Sequence, residues 1–141
     1  GGKTSMSRPL AIAKELSIPY FVVFDGDSDK NTNEKIKKNN ARDNGCIFNL
    51  CSISGVDSIS SDGYFGTNVV MWWTNIRDSV TGAIGTAVWD RAQSAMVELH
   101  GYNDITNKKK NEMVIVATLQ HLWEQGKKSA LLEDLCQRML P

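Results

Sequence analysis

The stretch Tyr20-Phe21-Val22-Val23-Phe24-Asp25-Gly26-Asp27 decides how the rest of the chain is read. Its aromatic and β-branched residues follow one another without alternation, as in a strand covered on both faces. The run passes directly into Asp25-Gly26-Asp27-Ser28-Asp29, where Gly, Ser and Asp favour a turn. A covered strand that ends in carboxylates is chemically loaded, because parallel α/β sheets bind ligands at the carboxyl ends of their strands.

Outward from this strand, Ser7 is expected to cap a helix whose apolar residues Leu10, Ala13 and Leu16 recur at helical spacing. Downstream, the segment 30–44 is polar and locally basic, with Lys30, Lys35, Lys37, Lys38 and Arg42 set against Glu34 and Asp43. Ile47, Leu50 and Cys51 then form a helical stripe, and the Ser/Gly/Asp-rich segment 52–66 reads as a loop. Val69-Val70-Met71-Trp72-Trp73 is a second covered strand. Asn75 and Asp78 resemble a capping pair ahead of a helix carrying Ile76, Val80, Ala83 and Ile84 and stopped by Gly85. Further helices are predicted over 86–99, with Trp89, Ala92, Met96 and Leu99 on one side, and over 110–125, burying Ile115, Leu119 and Leu122. A last helix, capped by Ser129, carries Leu132, Leu135, Cys136 and Met139 in register. Covered strands alternating with amphipathic helices predict an α/β fold with a parallel sheet. Two strands make too small a sheet, so others are expected outside the chain or within a segment read as a loop.

The composition agrees with a packed domain. The chain has 141 residues, 41% of them apolar, and Lys plus Arg balance Asp plus Glu at 16 each. A disordered tail, a collagen and a histone-like polycation are excluded. No apolar run approaches the roughly 18 residues of a membrane span, and no hydrophobic segment follows the start, so no membrane partner and a cytoplasmic location are expected. The cysteines, Cys46, Cys51 and Cys136, are odd in number and sparse, which predicts reduced and mostly buried thiols. His100 and His121 stand alone, without the paired spacing of a zinc site. Trp72, Trp73, Trp89 and Trp123 have apolar neighbours and are read as core.

Asp25 and Asp27 are the candidate metal ligands. Two residues apart on extended backbone, they can point the same way, and Gly26 leaves room for a close-approaching group. Such hard oxygen donors suit Mg²⁺ or Mn²⁺, ions that act on phosphates with one or two protein carboxylates and several waters. The bland alternative is a solvated Asp-rich turn. Other motifs fit less well. An EF-hand loop starting at Asp25 needs Gly where Lys30 stands and Glu where Ile36 stands. The strand-D-x-D of haloacid dehalogenase phosphatases wants Thr or Val in place of Asp29. Gly2-Lys3-Thr4 copies the tail of a P-loop without its first glycine or preceding strand.

Taken in order, Gly1-Gly2-Lys3-Thr4, the helix from Arg8 to Leu16 and Ile18 through Asp27 resemble the Toprim domain of OLD-family (overcoming lysogenization defect) ATP-dependent endonucleases. Asp43-Asn44 before Ile47 and Leu50, Trp73-Thr74-Asn75-Ile76, Lys110-Asn111 and the ending Leu132 to Leu140 are similar to the same pattern, so the resemblance spans nearly the whole chain. It implies a partial Toprim domain over 1–141, with a sheet-containing catalytic core over 1–85 and C-terminal helices over 86–141. It also implies Mg²⁺- or Mn²⁺-dependent hydrolysis of DNA phosphodiesters, with Asp25 and Asp27 as metal ligands and Lys110 as the active-site lysine. Lys108 and Lys109 lie close enough to confuse that register. The partners it implies are DNA and an ATPase domain upstream in the same protein, through which alone ATP would act; a homodimer is compatible with it.

Two departures matter. The family's first Toprim strand carries a metal-binding Glu, and this chain is expected to begin after that point. Where members show Asn-Leu-Glu, this sequence has Asn75-Ile76-Arg77. Asp78 is adjacent, but one residue turns about 100° around a helix, so it could compensate only if the backbone differs. Two rival readings therefore stand beside the nuclease. One is a non-catalytic module binding DNA or a partner through the basic segments 30–42 and 108–110. The other is a phosphotransferase with Asp25 as nucleophile.

Overall fold

The computed structural model describes residues 3–102 and 111–140. Its elements are a 3-10 turn Lys3–Met6, α1 (Ser7–Glu15), β1 (Val22–Asp25), a 3-10 turn Ser28–Lys30, α2 (Glu34–Leu50), β2 (Tyr64–Phe65), β3 (Val69–Trp72), α3 (Ile76–Ile84), α4 (Thr86–Leu99), α5 (Glu112–Glu124) and α6 (Ala130–Met139). The fold is α/β, with a small mixed sheet and a helical C-terminal half. Contacts divide the chain into two units, residues 1–79 with 138–141, and residues 80–137.

In the first unit the sheet order is β1-β3-β2. β1 and β3 run parallel, with Val22 beside Val69, Phe24 beside Met71 and Asp25 beside Trp72. The third strand comes from the segment read as a loop: β2 pairs antiparallel with β3, Tyr64 beside Met71 and Phe65 beside Val70. Two residues are too short for a periodic signal, which is why composition suggested a loop there. Val22, Phe24, Val69 and Met71 share a core with Leu10 of α1 and Ile47, Phe48 and Cys51 at the end of α2. The Phe48 ring meets Phe24 and Tyr64 edge-on, with centroids 5.7 and 5.3 Å away. All four β3 residues are buried, Val70 and Trp72 as fully as Val69 and Met71, as expected of a strand without alternation. The cap expected at Ser7 is displaced: Ser7 is the first helical residue, and Met6 at the N-cap makes no side-chain bond.

In the second unit α4 and α5 pack together, with Trp89, Ala92, Met96 and Val97 buried on α4, Val114, Thr118 and Leu122 on α5, and Leu135 on α6. Several predicted core positions are corrected. Leu99, Trp123 and Met139 are exposed, because the buried arc of each helix is rotated or shorter than the apolar stripe suggests. On α5 the buried residues fall at 114, 118 and 122, so Ile115 and Leu119 sit beside that line and are half-buried. Of the cysteines, Cys51 is buried, while Cys46 and Cys136 are exposed.

Candidate functional site

β1 delivers Asp25 to the carboxyl end of the parallel pair, beside Trp72 of β3. Beyond Trp72, β3 turns through Thr74 and Asn75 into α3, and Asp25 Oδ1 accepts the backbone N–H of Ile76, the first residue of that helix, at 3.0 Å. A carboxylate at this place satisfies an amide that has no partner inside the helix. Asn75 and Asp78 close the same turn reciprocally. The Asp78 N–H donates to Asn75 Oδ1 at 2.9 Å, and Asn75 Nδ2 donates to Asp78 Oδ2 at 2.7 Å. Asp78 is thus engaged in capping, with the Arg77 guanidinium 4.0 Å from its other oxygen.

The turn after Asp25 is stitched to the end of β3 by successive backbone bonds. Gly26 N–H donates to Trp72 O at 2.6 Å, Asp27 N–H to Thr74 O at 3.1 Å and Ser28 N–H to Trp73 O at 2.9 Å. At Gly26 a Cβ would stand 2.5 Å from Trp72 O, so glycine is required by close backbone approach. Asp27 takes the left-handed conformation, φ +55° and ψ +33°, which Asp and Asn tolerate better than other side-chain-bearing residues.

α2 holds this turn from the other side. Asn44, fully buried, donates from Nδ2 to Gly26 O at 3.1 Å and to Ser58 O at 2.7 Å. One helical turn earlier, Asn40 donates to Asn31 Oδ1 at 2.9 Å and to Asp27 O at 3.4 Å. Neither clamp was anticipated from the sequence as a site residue. Asn44 did carry a signal: it is in phase with Ile47, Phe48 and Cys51, and a polar residue in an apolar stripe must find partners when buried.

The Asp27 carboxylate gathers two cations. Lys3 Nζ lies 2.7 Å from Oδ2, with both side chains only 14% exposed, and Lys30 donates to Oδ1 from a side chain 60% exposed. Burial alone would raise the Asp27 pKa, but the contacts with Lys3 and Lys30 outweigh it and hold the carboxyl below its ordinary value. The Lys30 ammonium is correspondingly held above its ordinary value, first by its hydrogen bond to Asp27 and then, against partial desolvation, by the charges of Asp27, Asp29 and Asp25. Of these acids, Asp27 is the one in direct contact with the ammonium.

A divalent cation on these two carboxylates would have to displace an ammonium group from Asp27. Asp27 already attracts positive charge to both of its oxygens, and Asp25 uses one oxygen on Ile76 while the other has no hydrogen bond among the described residues. Two carboxylates completed by water are a normal complement for Mg²⁺. A richer cage is not built here: among the described residues no group of three or more His, Cys, Asp or Glu side chains is placed to hold a metal. Lys108, Lys109 and Lys110, the sequence candidates for a phosphate-facing ammonium, lie outside the described residues. Comparison of the chain with family models, with curated proteins and with solved structures finds no match.

Proposed function

We propose that this chain is the Toprim nuclease portion of an OLD-like, ATP-dependent endonuclease, hydrolysing DNA phosphodiesters with Mg²⁺ or Mn²⁺. The observation that carries the reading is the placement of Asp25 and Asp27 at the carboxyl end of a parallel strand pair, on a turn held by backbone bonds and by Asn40 and Asn44. Asp25 and Asp27 would hold the metal, which when bound supplies charge neutralisation and an activated water for attack on phosphorus. The chain's own part is to keep the two carboxylates in place: Gly26 lets the turn approach β3, and the Ile76 amide orients Asp25. Lys110 is the lysine that would face the phosphate, following the resemblance. ATP would act through the upstream ATPase domain, and the acid missing at Arg77 would have to come from outside the segment 75–78.

The test is cleavage of supercoiled plasmid by the full-length protein, with Mg²⁺, Mn²⁺ or chelator, alongside the Asp25→Asn/Asp27→Asn variant. Metal-dependent cutting that falls about 100-fold or more in the variant is expected. Cutting unaffected by both chelator and variant, or none under any metal condition, would remove the assignment.

A second reading, a non-catalytic module that binds DNA or a partner, is favoured by a different observation. Asp27 is already neutralised by Lys3 and Lys30, Arg77 replaces an acid, and the exposed Lys35 and Lys38 share one face of α2 with Arg42. Binding of this kind is indifferent to chelator and weakens steeply with salt.

A further inference from the structure

α5 is apolar on two faces, and its own unit covers one of them. Val114, Thr118 and Leu122 turn inward and are buried. On the opposite arc of the helix stand Met113, Val116, Gln120 and Trp123, and the three apolar ones are 64%, 61% and 54% exposed. A helix with apolar residues all round is ordinarily covered all round. The four residues are spaced by three, four and three positions, the spacing of a seam along which a second helix packs. The seam is flanked by hollows that can receive side chains. A cavity of about 420 Å³ is bounded by Leu119, Trp123, Lys127 and Leu132, and another of about 380 Å³ by Val116, Leu119 and Trp123.

The charges at the two ends of the seam decide what fits it. Glu112 opens α5 on the same arc, and Lys127, just past the helix end, lines the cavity beside Trp123; both are exposed. Neither has an ion pair among the described residues, whereas Lys128 is 3.5 Å from Glu133 and 5.0 Å from the centre of the Trp123 ring. Consider a second α5 laid antiparallel about a two-fold axis between Leu119 and Gln120. Glu112 of each copy then meets Lys127 of the other, because the two residues lie equally far along the chain from that axis. The same axis brings Val116 of each copy to Trp123 of the other. A parallel pairing would set Glu112 against Glu112 and Lys127 against Lys127, which is repulsive. The face is therefore complementary to itself, as the contact of a two-fold dimer must be.

We propose that α5 is a self-association face: a second copy of this chain packs its own α5 antiparallel on Met113, Val116 and Trp123, with Glu112 and Lys127 paired at both ends. The inference is independent of the nuclease reading. Contact through one helix per copy falls short of a standard interface of about 1,600 Å², so a Kd of about 1–100 µM is expected. At the submicromolar concentrations of an unfolding experiment the chain is monomeric and Trp123 stands open to solvent.

The experiment is sedimentation equilibrium of the full-length protein over about 0.5 to 200 µM, a range that brackets the expected Kd. The wild type should pass from monomer to dimer. Trp123→Asp should stay monomeric throughout, with the circular dichroism and dilute-solution melting of the wild type. The charge pair gives a second, milder test. Glu112→Lys and Lys127→Glu should each weaken association about fivefold or more, since symmetry places every new repulsion twice, and the two combined should return it to within about twofold of the wild type. Association unmoved by Trp123→Asp, or a combined charge swap that recovers nothing, overturns the proposal. So does a monomer at every concentration, and resistance of its Met113 to peroxide would then assign the face to another segment of the same molecule.

Discussion

The turn after β1 and the outward face of α5 treat their exceptional residues in opposite ways. In the turn, most features that would be costly in isolation have a named partner, the buried Asn44 Oδ1 being an exception. The tight glycine lies against β3, the left-handed Asp27 is bonded at its N–H and its carboxylate, and buried Asn44 takes two carbonyls. On α5, Met113, Val116 and Trp123 stand 64%, 61% and 54% exposed, although their hydrophobicity would favour burial. The first region is ordered by hydrogen bonds and charge pairs that admit few alternatives. The second is ordered by apolar contact, which has no direction and tolerates rotation of a helix about its axis. The candidate site residues Asp25 and Asp27 sit in the first.

Paired substitutions can break this comparison. The largest difference is expected between two tryptophans. Trp72→Ala, at a fully buried position in β3, should lower unfolding free energy by about 3–5 kcal/mol. Trp123→Ala should change it by about 0.5 kcal/mol or less. Similar losses in urea unfolding would mean that the exposed face of α5 is packed in solution.

Two glycines sharpen the point at intermediate size. Gly26→Ala forces a Cβ against Trp72 O and should cost about 1–3 kcal/mol as the turn shifts. Gly45→Ala, within α2 where an added Cβ meets nothing within 4 Å, should stabilise by about 0.5–1 kcal/mol. Thermal melts of both variants distinguish a backbone requirement at the turn from general sensitivity to side-chain size.

The smallest effect is on acid stability. The folded pKa of Asp27 lies below its ordinary 3.8, so its ion pairs stabilise the fold above the unfolded value and lose that effect as pH falls through the folded one. Between about pH 5 and pH 2, the wild type should therefore lose more stability than Asp27→Asn, giving converging unfolding midpoints. Parallel curves over that window would show that Lys3 and Lys30 do not stabilise the ionised carboxylate. The partial solvent exposure of the pair keeps the expected difference small.

Much of the fold was legible because its signals are local. The unbroken run before Asp25, the second run from Val69 to Trp73, whose strand ends one residue earlier at Trp72, and the Asn75–Asp78 capping pair each correspond to an observed element. The missing third strand was not legible, since Tyr64 and Phe65 become a strand only by pairing with β3. Asp25 and Asp27 stood out as candidates by their position after a covered strand. Their surroundings did not, because Lys3, Lys30, Asn40 and Asn44 reach the turn from separate elements. The assignment of Trp123 to the core failed for a related reason. Apolar neighbours along a helix do not say which of its faces a partner will cover.

Sequence by itself determined that this chain forms covered strands and amphipathic helices, and that two acids follow directly on one of those strands, since side-chain branching, polarity and spacing act over a few residues. Only the tertiary structure decided which lone pairs those acids have already committed, to the Ile76 amide at Asp25 and to two ammonium groups at Asp27. Electrostatic and hydrogen-bond partners are chosen by distance in space, and the chain brings together there residues as far apart as Asp25 and Ile76.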